Sequence, residues 1–237
     1  MERDSTVDPV GLPIRPLPDG SDVRKAIIGE IPRIVDTVAR SFYDDPIFTW
    51  IVPDDARRLL ELQLGFALFA RRVWCPHDET YTTDHLIGGA FWMPPGTWHL
   101  SLLRQLLMLP TLAVITRRDL PRLIRTLNVI EAKHPHDLHY YLPVIGILPE
   151  WQGRGFGSAL LRPMLERCDR DQLPAYLEAS SPRNRALYER HGFEVVEEIH
   201  VAKDSPPMWR MWRRPAETGK PNAADSGGAA AGPLPGA

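Results

Sequence analysis

The sequence predicts a single α/β domain, and three observations support this prediction. Two early amphipathic helices, beginning near Pro32 and Asp54, precede a segment of short β-prone runs. A nearly continuous apolar strand then leads into a glycine-rich loop and another helix, as in sheets covered on both faces. Of the 237 residues, 43% are hydrophobic and 24% charged, which is enough for one domain with a sizeable core.

The two early helices each carry one apolar stripe. Pro32 suits the first turn of a helix that ends near Asp44-Asp45-Pro46, and Asp54 or Asp55 suits the cap of the second. The first stripe consists of Ile34, Val35, Val38, Ala39 and Phe42, and the second of Leu59, Leu62, Phe66, Phe69 and Val73. We expect both stripes to pack in the core.

The middle of the chain predicts a hairpin followed by two helices. Residues 80–92 read as two strands around Asp84-His85. Residues 98–133 read as helices, with breaks at Pro110 and at Asp119-Leu120-Pro121. The leucines and Met108 of this segment could form core or line a substrate pocket, and core is the favoured interpretation.

Residues 137–148 predict the central strand, although Pro143 cannot donate to a ladder. A helix from Ser158 follows, in which Pro163 predicts a kink. Residues 175–179 predict a strand and 182–191 a short helix capped by Ser181. Residues 193–201 and 208–214 predict a closing pair of strands.

Composition narrows the function and the location. The net charge of −2 gives no reason to expect binding to nucleic acid or to an anionic membrane. Cys75 and Cys168 form neither a disulfide framework nor a metal site, so no metal is expected. Without an apolar leader, a cytoplasmic protein is expected. Residues 1–20 and 215–237 are predicted to be flexible, which leaves 21–214 as the domain.

The glycines after the central strand, Gly153, Gly155 and Gly157, predict an anion site. N–H groups at a helix N-terminus lack intrahelical partners and favour a phosphate. No lysine follows the glycines, so a P-loop is excluded. A dinucleotide fingerprint fits poorly because its third glycine position would be Ser158 or Leu160, although Glu178 lies where a ribose-binding acid would fall.

Two motifs fit another pattern. Residues 152–157, QGRGFG, match Q/R-x-x-G-x-G/A, and residues 184–193, NRALYERHGF, match N-x-x-x-x-Y-E-[KR]-x-G-F. Together they resemble the GNAT superfamily of acetyl-CoA-dependent N-acetyltransferases. Residues 177–190 look most like its puromycin N-acetyltransferase-like members. The resemblance is clear over residues 137–200 and thinner over 20–100.

The resemblance implies a mixed central β-sheet, flanked by helices, whose two middle strands splay apart around the pantetheine arm of the cofactor. The missing donor of Pro143 then costs little. It also implies acetyl-CoA as co-substrate, held by the loop and the strand before it. The implied cofactor-binding residues are Ile147, Leu148, Gln152, Gly153, Arg154, Gly155, Phe156, Gly157, Ser158 and Asn184.

The resemblance further implies that Tyr188, one helical turn after Asn184, is the general acid for the thiolate of CoA. Either Glu178 or His139 could be the base, although Glu178 could instead pair with Arg183 or Arg185 and His139 could be an ordinary strand histidine. The loop after the first helix lies where this family admits its acceptor. Its pocket candidates are Tyr43, Asp45 and Trp50.

The function expected from this resemblance is direct transfer of an acetyl group to a primary amine. A small molecule is favoured over a histone-like tail, because a near-neutral chain has no acidic surface for a polybasic peptide. A dinucleotide-dependent enzyme and a non-catalytic CoA-binding regulatory module remain alternatives. The oligomeric state stays open, with a homodimer as one option.

Overall fold

A seven-stranded sheet organises the chain, in the order β1-β2-β3-β4-β5-β7-β6. The computed structural model describes residues 23–216, so the segments 1–20 and 215–237 that we predicted to be flexible lie outside the described residues, apart from residues 215 and 216. The strands are β1 (Val23–Lys25), β2 (Thr80–Thr83), β3 (Gly88–Met93), β4 (Tyr140–Ile147), β5 (Ala175–Ala179), β6 (Glu194–His200) and β7 (Pro207–Arg213). Only β4 and β5 pair in parallel. This arrangement confirms the mixed α/β sheet.

Seven α-helices surround the sheet in the described part of the chain. They are α1 (Ile31–Ser41), α2 (Pro46–Ile51), α3 (Asp55–Phe69), α4 (Leu102–Thr116), α5 (Leu120–Lys133), α6 (Phe156–Asp171) and α7 (Pro182–Arg190). The two early apolar stripes pack in the core around α1 and α3, as predicted. The core on the opposite face is built around α6. Helix α1 lies so close to β4 that a Cβ on Gly146 would collide with Ser41.

The two middle strands splay apart. Within the described residues β4 and β5 are joined only by Tyr140 opposite Ala175 and Tyr141 opposite Tyr176. The register between Phe91 and Met93 of β3 shifts by one residue against β4, which places a bulge at 142–143. Pro143 therefore lies at a bulge beside the gap, where a missing ladder donor is tolerated. The splayed sheet implied by the resemblance is confirmed.

Three details differ from the sequence prediction. Pro110 does not break a helix, because α4 runs through it with Met108 and Leu112 buried on either side. The chain instead turns at Arg117, where φ is 47°, close to the predicted break at 119–121. Helix α6 begins at Phe156, two residues before the predicted start. The sequence reading also missed β1 and α2.

No helix within residues 23–216 has both the length and the apolar character required to span a membrane.

Candidate active site

A cavity of about 440 Å³ adjoins the gap between β4 and β5. Residues 141–145 of β4 and Glu178 of β5 form one side, and α3, α4 and α5 form much of the rest. Met108 and Leu112 are buried, yet both also line this cavity. Residues 98–133 therefore contain side chains that belong to the core and line the pocket at the same time.

The glycine loop leads directly into α6. Gly153 and Gly155 have φ of 79° and 91°, a conformation that side chains disfavour. A Cβ on Gly155 would meet no atom within 4 Å, so the space above the loop is open. The first intrahelical bond runs from Ala159 N–H to Gly155 C=O at 3.0 Å. The N–H groups of residues 156–158 precede it and point out of the helix end, as an anion site requires.

Side chains brace the loop from both sides. Gln152 Nε2 donates to the carbonyl of Ile147 at 3.0 Å, and Gln152 Oε1 accepts from Arg183 at 2.8 Å. The guanidinium of Arg154 lies over the ring of Trp151, 4.6 Å from its centroid. These contacts tie the loop to the end of β4 and place two guanidinium groups beside it, which favours an anionic ligand.

The main-chain groups of Ile147 face the gap. Gly88 lies opposite Ile147, while Leu148 N–H donates to Ile87 C=O at 3.0 Å. In an antiparallel ladder this pattern makes Gly88 and Ile147 a non-hydrogen-bonded pair, whose main-chain groups point away from each other. The N–H and C=O of Ile147 thus point away from β3, toward the side of β5, where the C=O already accepts from Gln152 Nε2. The N–H of Leu148, by contrast, is used within the sheet.

Asn184 and Ser180 connect the gap to the loop before α2. Asn184 Nδ2 donates to Ser180 Oγ at 3.5 Å, and Ser180 Oγ donates to the carboxylate of Asp45. Asp45 also caps α2, accepting from the N–H of Ile47 at 3.0 Å. Burial raises the pKa of Asp45 to about 6. Asp45 is therefore an organising residue one contact away from Asn184, which lines the cavity.

Tyr188 lines the cavity one turn after Asn184 on α7. Its ring packs edge-to-face on Phe193, with centroids 5.9 Å apart. Burial, followed by the nearby charge of Asp45, raises the pKa of Tyr188 above its ordinary value. The phenol consequently stays protonated near neutral pH and can act as a proton donor.

Glu178 lines the cavity from β5, and its side chain is only 5% exposed. Tyr141 donates to Oε2 at 2.9 Å, whereas Oε1 has no hydrogen-bond partner within residues 23–216. Burial raises the pKa of Glu178 to about 7. Arg183 and Arg185, the partners considered from the sequence, bind Gln152 and Glu189 instead. A buried carboxylate with one unpaired oxygen and this pKa suits a general base.

His139 does not line the cavity but touches a histidine that does. His139 Nε2 lies 3.0 Å from His134 Nε2, and His139 Nδ1 lies 2.6 Å from the carbonyl of Asp137. Burial lowers the pKa of both rings, that of His134 to about 3, so both are neutral. A carbonyl can only accept, so His139 carries its proton on Nδ1 and receives one from His134 Nε2.

This tautomer assignment leaves His134 Nδ1 as an acceptor, and that atom lies 3.8 Å from Glu178 Oε1. If Oε1 gained a proton, that proton would therefore lie near the lone pair of His134 Nδ1. The structure thus brings Glu178, Tyr188 and Asn184 to one cavity, with His139 behind His134.

Two acceptor-pocket candidates point elsewhere. Tyr43 Oη donates to the carbonyl of Asp55 at 3.2 Å, under the guanidinium of Arg58. Trp50 Nε1 donates to Asp204 at 3.2 Å. Neither residue lines the cavity, whereas their neighbours in the same segment do, namely Phe42, Ile47, Phe48 and Ile51. The predicted segment therefore borders the cavity, but through residues other than Tyr43, Asp45 and Trp50.

Sequence reasoning missed His134, Tyr141 and Trp98. His134 and Tyr141 fall in the ring-rich run 134–141, HPHDLHYY, just before the central strand. The density of histidine and tyrosine rings in this run was the available signal. The spacing of these rings follows neither a helical nor a strand period, so it could not show which of them face the cavity. Trp98 stacks on His134 with centroids 4.0 Å apart, a contact that depends on tertiary packing. No cluster of three potential metal ligands occurs within residues 23–216.

Comparison with known proteins identifies the class. Residues 123–195 match the Acetyltransferase (GNAT) domain family. An uncharacterised N-acetyltransferase of Schizosaccharomyces pombe is 26% identical over 210 residues, covering 79% of this chain and 83% of that protein. A crystal structure from Corynebacterium glutamicum, described as histone acetyltransferase HPA2 and related acetyltransferase, is 27% identical with a TM-score of 0.62, covering 82% of this chain and 96% of that one.

A putative arylalkylamine N-acetyltransferase of Aedes aegypti shares the fold, with a TM-score of 0.53 and 12% identity over 81% of this chain and 86% of that one. Over residues 23–216 the chain has the fold of a single GNAT-type domain, and the GNAT family match covers residues 123–195 of it. It is an acyltransferase.

Proposed function

We propose that this protein transfers an acetyl group from acetyl-CoA to a primary amine on a small molecule by direct attack. The observation that carries the proposal is the cavity beside the β4–β5 gap. There a buried carboxylate with an unpaired oxygen, Glu178, shares the lining with a protonated phenol, Tyr188. One group can take a proton and the other can give one, which is what amine acylation needs.

Acetyl-CoA suits the residues at the other side of the gap. The positive φ and open space at Gly155 leave room for phosphate oxygens above the start of α6. The main-chain groups of Ile147 and the side chain of Asn184 would bind the pantetheine arm. When bound, acetyl-CoA supplies the thioester whose acyl carbon is attacked.

The protein supplies the proton transfers. Glu178 Oε1 accepts one proton from the ammonium group, which leaves a neutral amine whose nitrogen bonds to the acyl carbon. Tyr188 Oη donates a proton to the sulfur as the carbon–sulfur bond breaks, and the second proton that the nitrogen loses restores the phenol. His134 Nδ1 lies 3.8 Å from Oε1, beyond hydrogen-bond distance, and would accept from the protonated carboxyl once the two side chains move closer. His139 acts as a positioning residue, because its bond to Asp137 sets the tautomer of His134.

The deciding experiment combines binding and turnover. Calorimetric titration with acetyl-CoA and with NADH should show tight binding of acetyl-CoA only. A screen of primary amines with a free-thiol readout for CoA should then give release that depends on the amine, with the acetylated product seen by mass spectrometry. Tight NADH binding would favour the dinucleotide alternative. Acetyl-CoA binding without transfer to any amine would favour a non-catalytic module.

We also propose a relation to the puromycin N-acetyltransferase-like members. Its support lies in residues 177–190, on the cofactor side of the site. The acceptor is therefore argued from the cavity rather than from that motif.

A further inference from the structure

The cavity has an uneven charge distribution. Three glutamates line it, Glu61, Glu131 and Glu178, whereas no lysine or arginine does so among the described residues. His134 is its one histidine, and burial lowers the pKa of that ring to about 3. Every charge that the lining can present to a ligand is therefore negative.

The uncompensated negative charge lies at the reacting end. Glu61 pairs with Arg57, whose Nη1 is also 3.7 Å from Asp119. Glu178 has no ion pair with a lysine or arginine among the described residues: its cross-strand neighbour Arg210 attracts it only at longer range, because that guanidinium is held by Glu197 at 2.6 Å and by Tyr176 at 3.2 Å. A cation entering near Glu178 would be stabilised, and an anion would be repelled.

Glu131 adds another carboxylate to the lining, and it is more exposed than Glu178. It accepts from Gln105 Nε2 at 3.3 Å and lies 3.2 Å from His99 Nδ1, while its side chain remains 37% exposed. Trp98, which also lines the cavity, stacks on the ring of His134. A cavity wall that contains both a carboxylate and an indole favours an ammonium group, through charge attraction and cation–π contact.

Aromatic side chains form much of the remaining wall. Phe48 packs edge-to-face on Phe42 at 5.3 Å and on Phe66 at 5.4 Å, and Phe69 stacks on Trp74 at 5.7 Å. All five rings line the cavity. Such walls bury an apolar, ring-bearing ligand well, but they offer no hydrogen-bond partners to a long, strongly hydrated ligand such as a polyamine.

We infer that the acceptor is a primary amine carried on an apolar, ring-bearing body with no carboxylate next to the amine, and that Glu131, the more exposed carboxylate of the lining, attracts this amine into the cavity before it reaches Glu178. This inference rests on the proposed function and specifies its substrate class. An α-amino acid would bring its carboxylate close to Glu178 with no cation to receive it. A polyamine would leave most of its length unsatisfied against the rings.

The test uses matched acceptors: tryptamine with tryptophan, tyramine with tyrosine, and 2-phenylethylamine with phenylalanine. We expect kcat/KM for each amine to exceed that of its amino acid by on the order of 10²- to 10³-fold, because an unpaired buried charge is strongly disfavoured. Spermidine and a lysine-containing peptide should also react poorly. Equal rates for amines and amino acids, or a preference for spermidine or the peptide, would overturn the inference while leaving amine acetylation intact.

Glu131→Gln tests the specificity residue, with Glu166→Gln as its control. Glu166→Gln removes the same single negative charge as Glu131→Gln. Glu166 is exposed on α6 and does not line the cavity, so this variant should leave acceptor binding unchanged. We expect Glu131→Gln to raise KM for the amines about tenfold and to narrow their advantage over the amino acids, with acetyl-CoA binding and kcat little changed. Identical amine kinetics in both variants would remove Glu131 from substrate selection. Failure of every amine to release CoA would instead count against the proposed function.

Discussion

The proposed cofactor end of the site consists mainly of main-chain groups from one continuous loop, residues 152–158, whereas the acceptor end consists of side chains from several helices and four strands. Local backbone conformation shapes the first, through the positive φ of Gly153 and Gly155. Tertiary packing shapes the second, through contacts such as that of Trp98 with His134. Substitutions at the two ends should therefore have different effects. Those at the cofactor end should change the affinity for acetyl-CoA, and those at the acceptor end should change turnover and the choice of acceptor.

The largest effect is expected from Glu178→Gln, at the acceptor end. Glutamine preserves the shape and can still accept from Tyr141, but it cannot take a proton. We expect kcat/KM to fall by about 10³-fold, within the usual range for a general base. Because the pKa of Glu178 is about 7, wild-type activity should fall as the pH drops through that value and the carboxylate becomes protonated. The free-thiol assay across neutral pH should show that this inflection is absent from the variant.

His139→Gln separates the two candidate bases. If Glu178 is the base, His139→Gln should keep the inflection in the pH–activity profile. The inflection should shift along the pH axis because the tautomer of His134 has changed, and the loss of rate should be smaller than in Glu178→Gln. An inflection that survives in Glu178→Gln but vanishes in His139→Gln would make His139 the base.

Tyr188→Phe should have the next largest effect. We expect kcat to fall about 10²-fold, less than for Glu178→Gln, because a thiolate with a pKa near ~8.5 can leave before it is fully protonated. The ring contact with Phe193 survives, so the affinity for acetyl-CoA should change little. Single-turnover kinetics with calorimetric binding checks both expectations. Unchanged turnover would exclude Tyr188 as the acid.

The same contrast explains which features the sequence could predict. The cap at Ser181, the stop at Gly192 and the helical spacing of Asn184 and Tyr188 are local, so α7 and its two cavity residues followed from a short motif. The splayed strands came from the family resemblance, which the β4–β5 register confirms. The bulge at 142–143, which lies beside the gap, leaves only Pro143 as a trace in the sequence.

The acceptor wall resisted prediction because its residues meet only after folding. Helix α4 is apolar on several sides, with Leu103 and Leu107 each 67% exposed while Met108 and Leu112 are buried. Its sequence period therefore could not show which side faces the cavity. Pro110 was similarly misleading, since packing on both sides of it outweighs the lost hydrogen bond.

Gly155→Ala tests the cofactor end and should have a moderate effect. A Cβ there meets no protein atom within 4 Å, so in the free protein the cost comes from φ of 91°, and in the complex the Cβ would also occupy space proposed for the phosphate oxygens. A strain of about 1–2 kcal/mol should appear as lower thermal stability or as roughly tenfold weaker acetyl-CoA binding. At saturating acetyl-CoA, kcat should be unchanged.

Gly29→Ala is its matched control, because a Cβ there also meets open space but without a positive φ. Loss of kcat in Gly155→Ala at saturating cofactor would show that the two ends are coupled rather than separable.

The smallest effect is expected from Tyr43→Phe, which sharpens the boundary of the acceptor end. The lost bond, from Tyr43 Oη to the carbonyl of Asp55, is exposed, so the free energy of unfolding should fall by no more than about 1 kcal/mol and KM for the amine should not change. Its neighbour Phe42 lines the cavity and packs on Phe48 and Phe66. Phe42→Leu should therefore raise KM for ring-bearing amines several-fold, because an aromatic pair contributes about 0.5–1.5 kcal/mol. Steady-state kinetics on the two variants decides which side of this segment binds the acceptor, and a raised KM in Tyr43→Phe alone would place the acceptor outside the cavity.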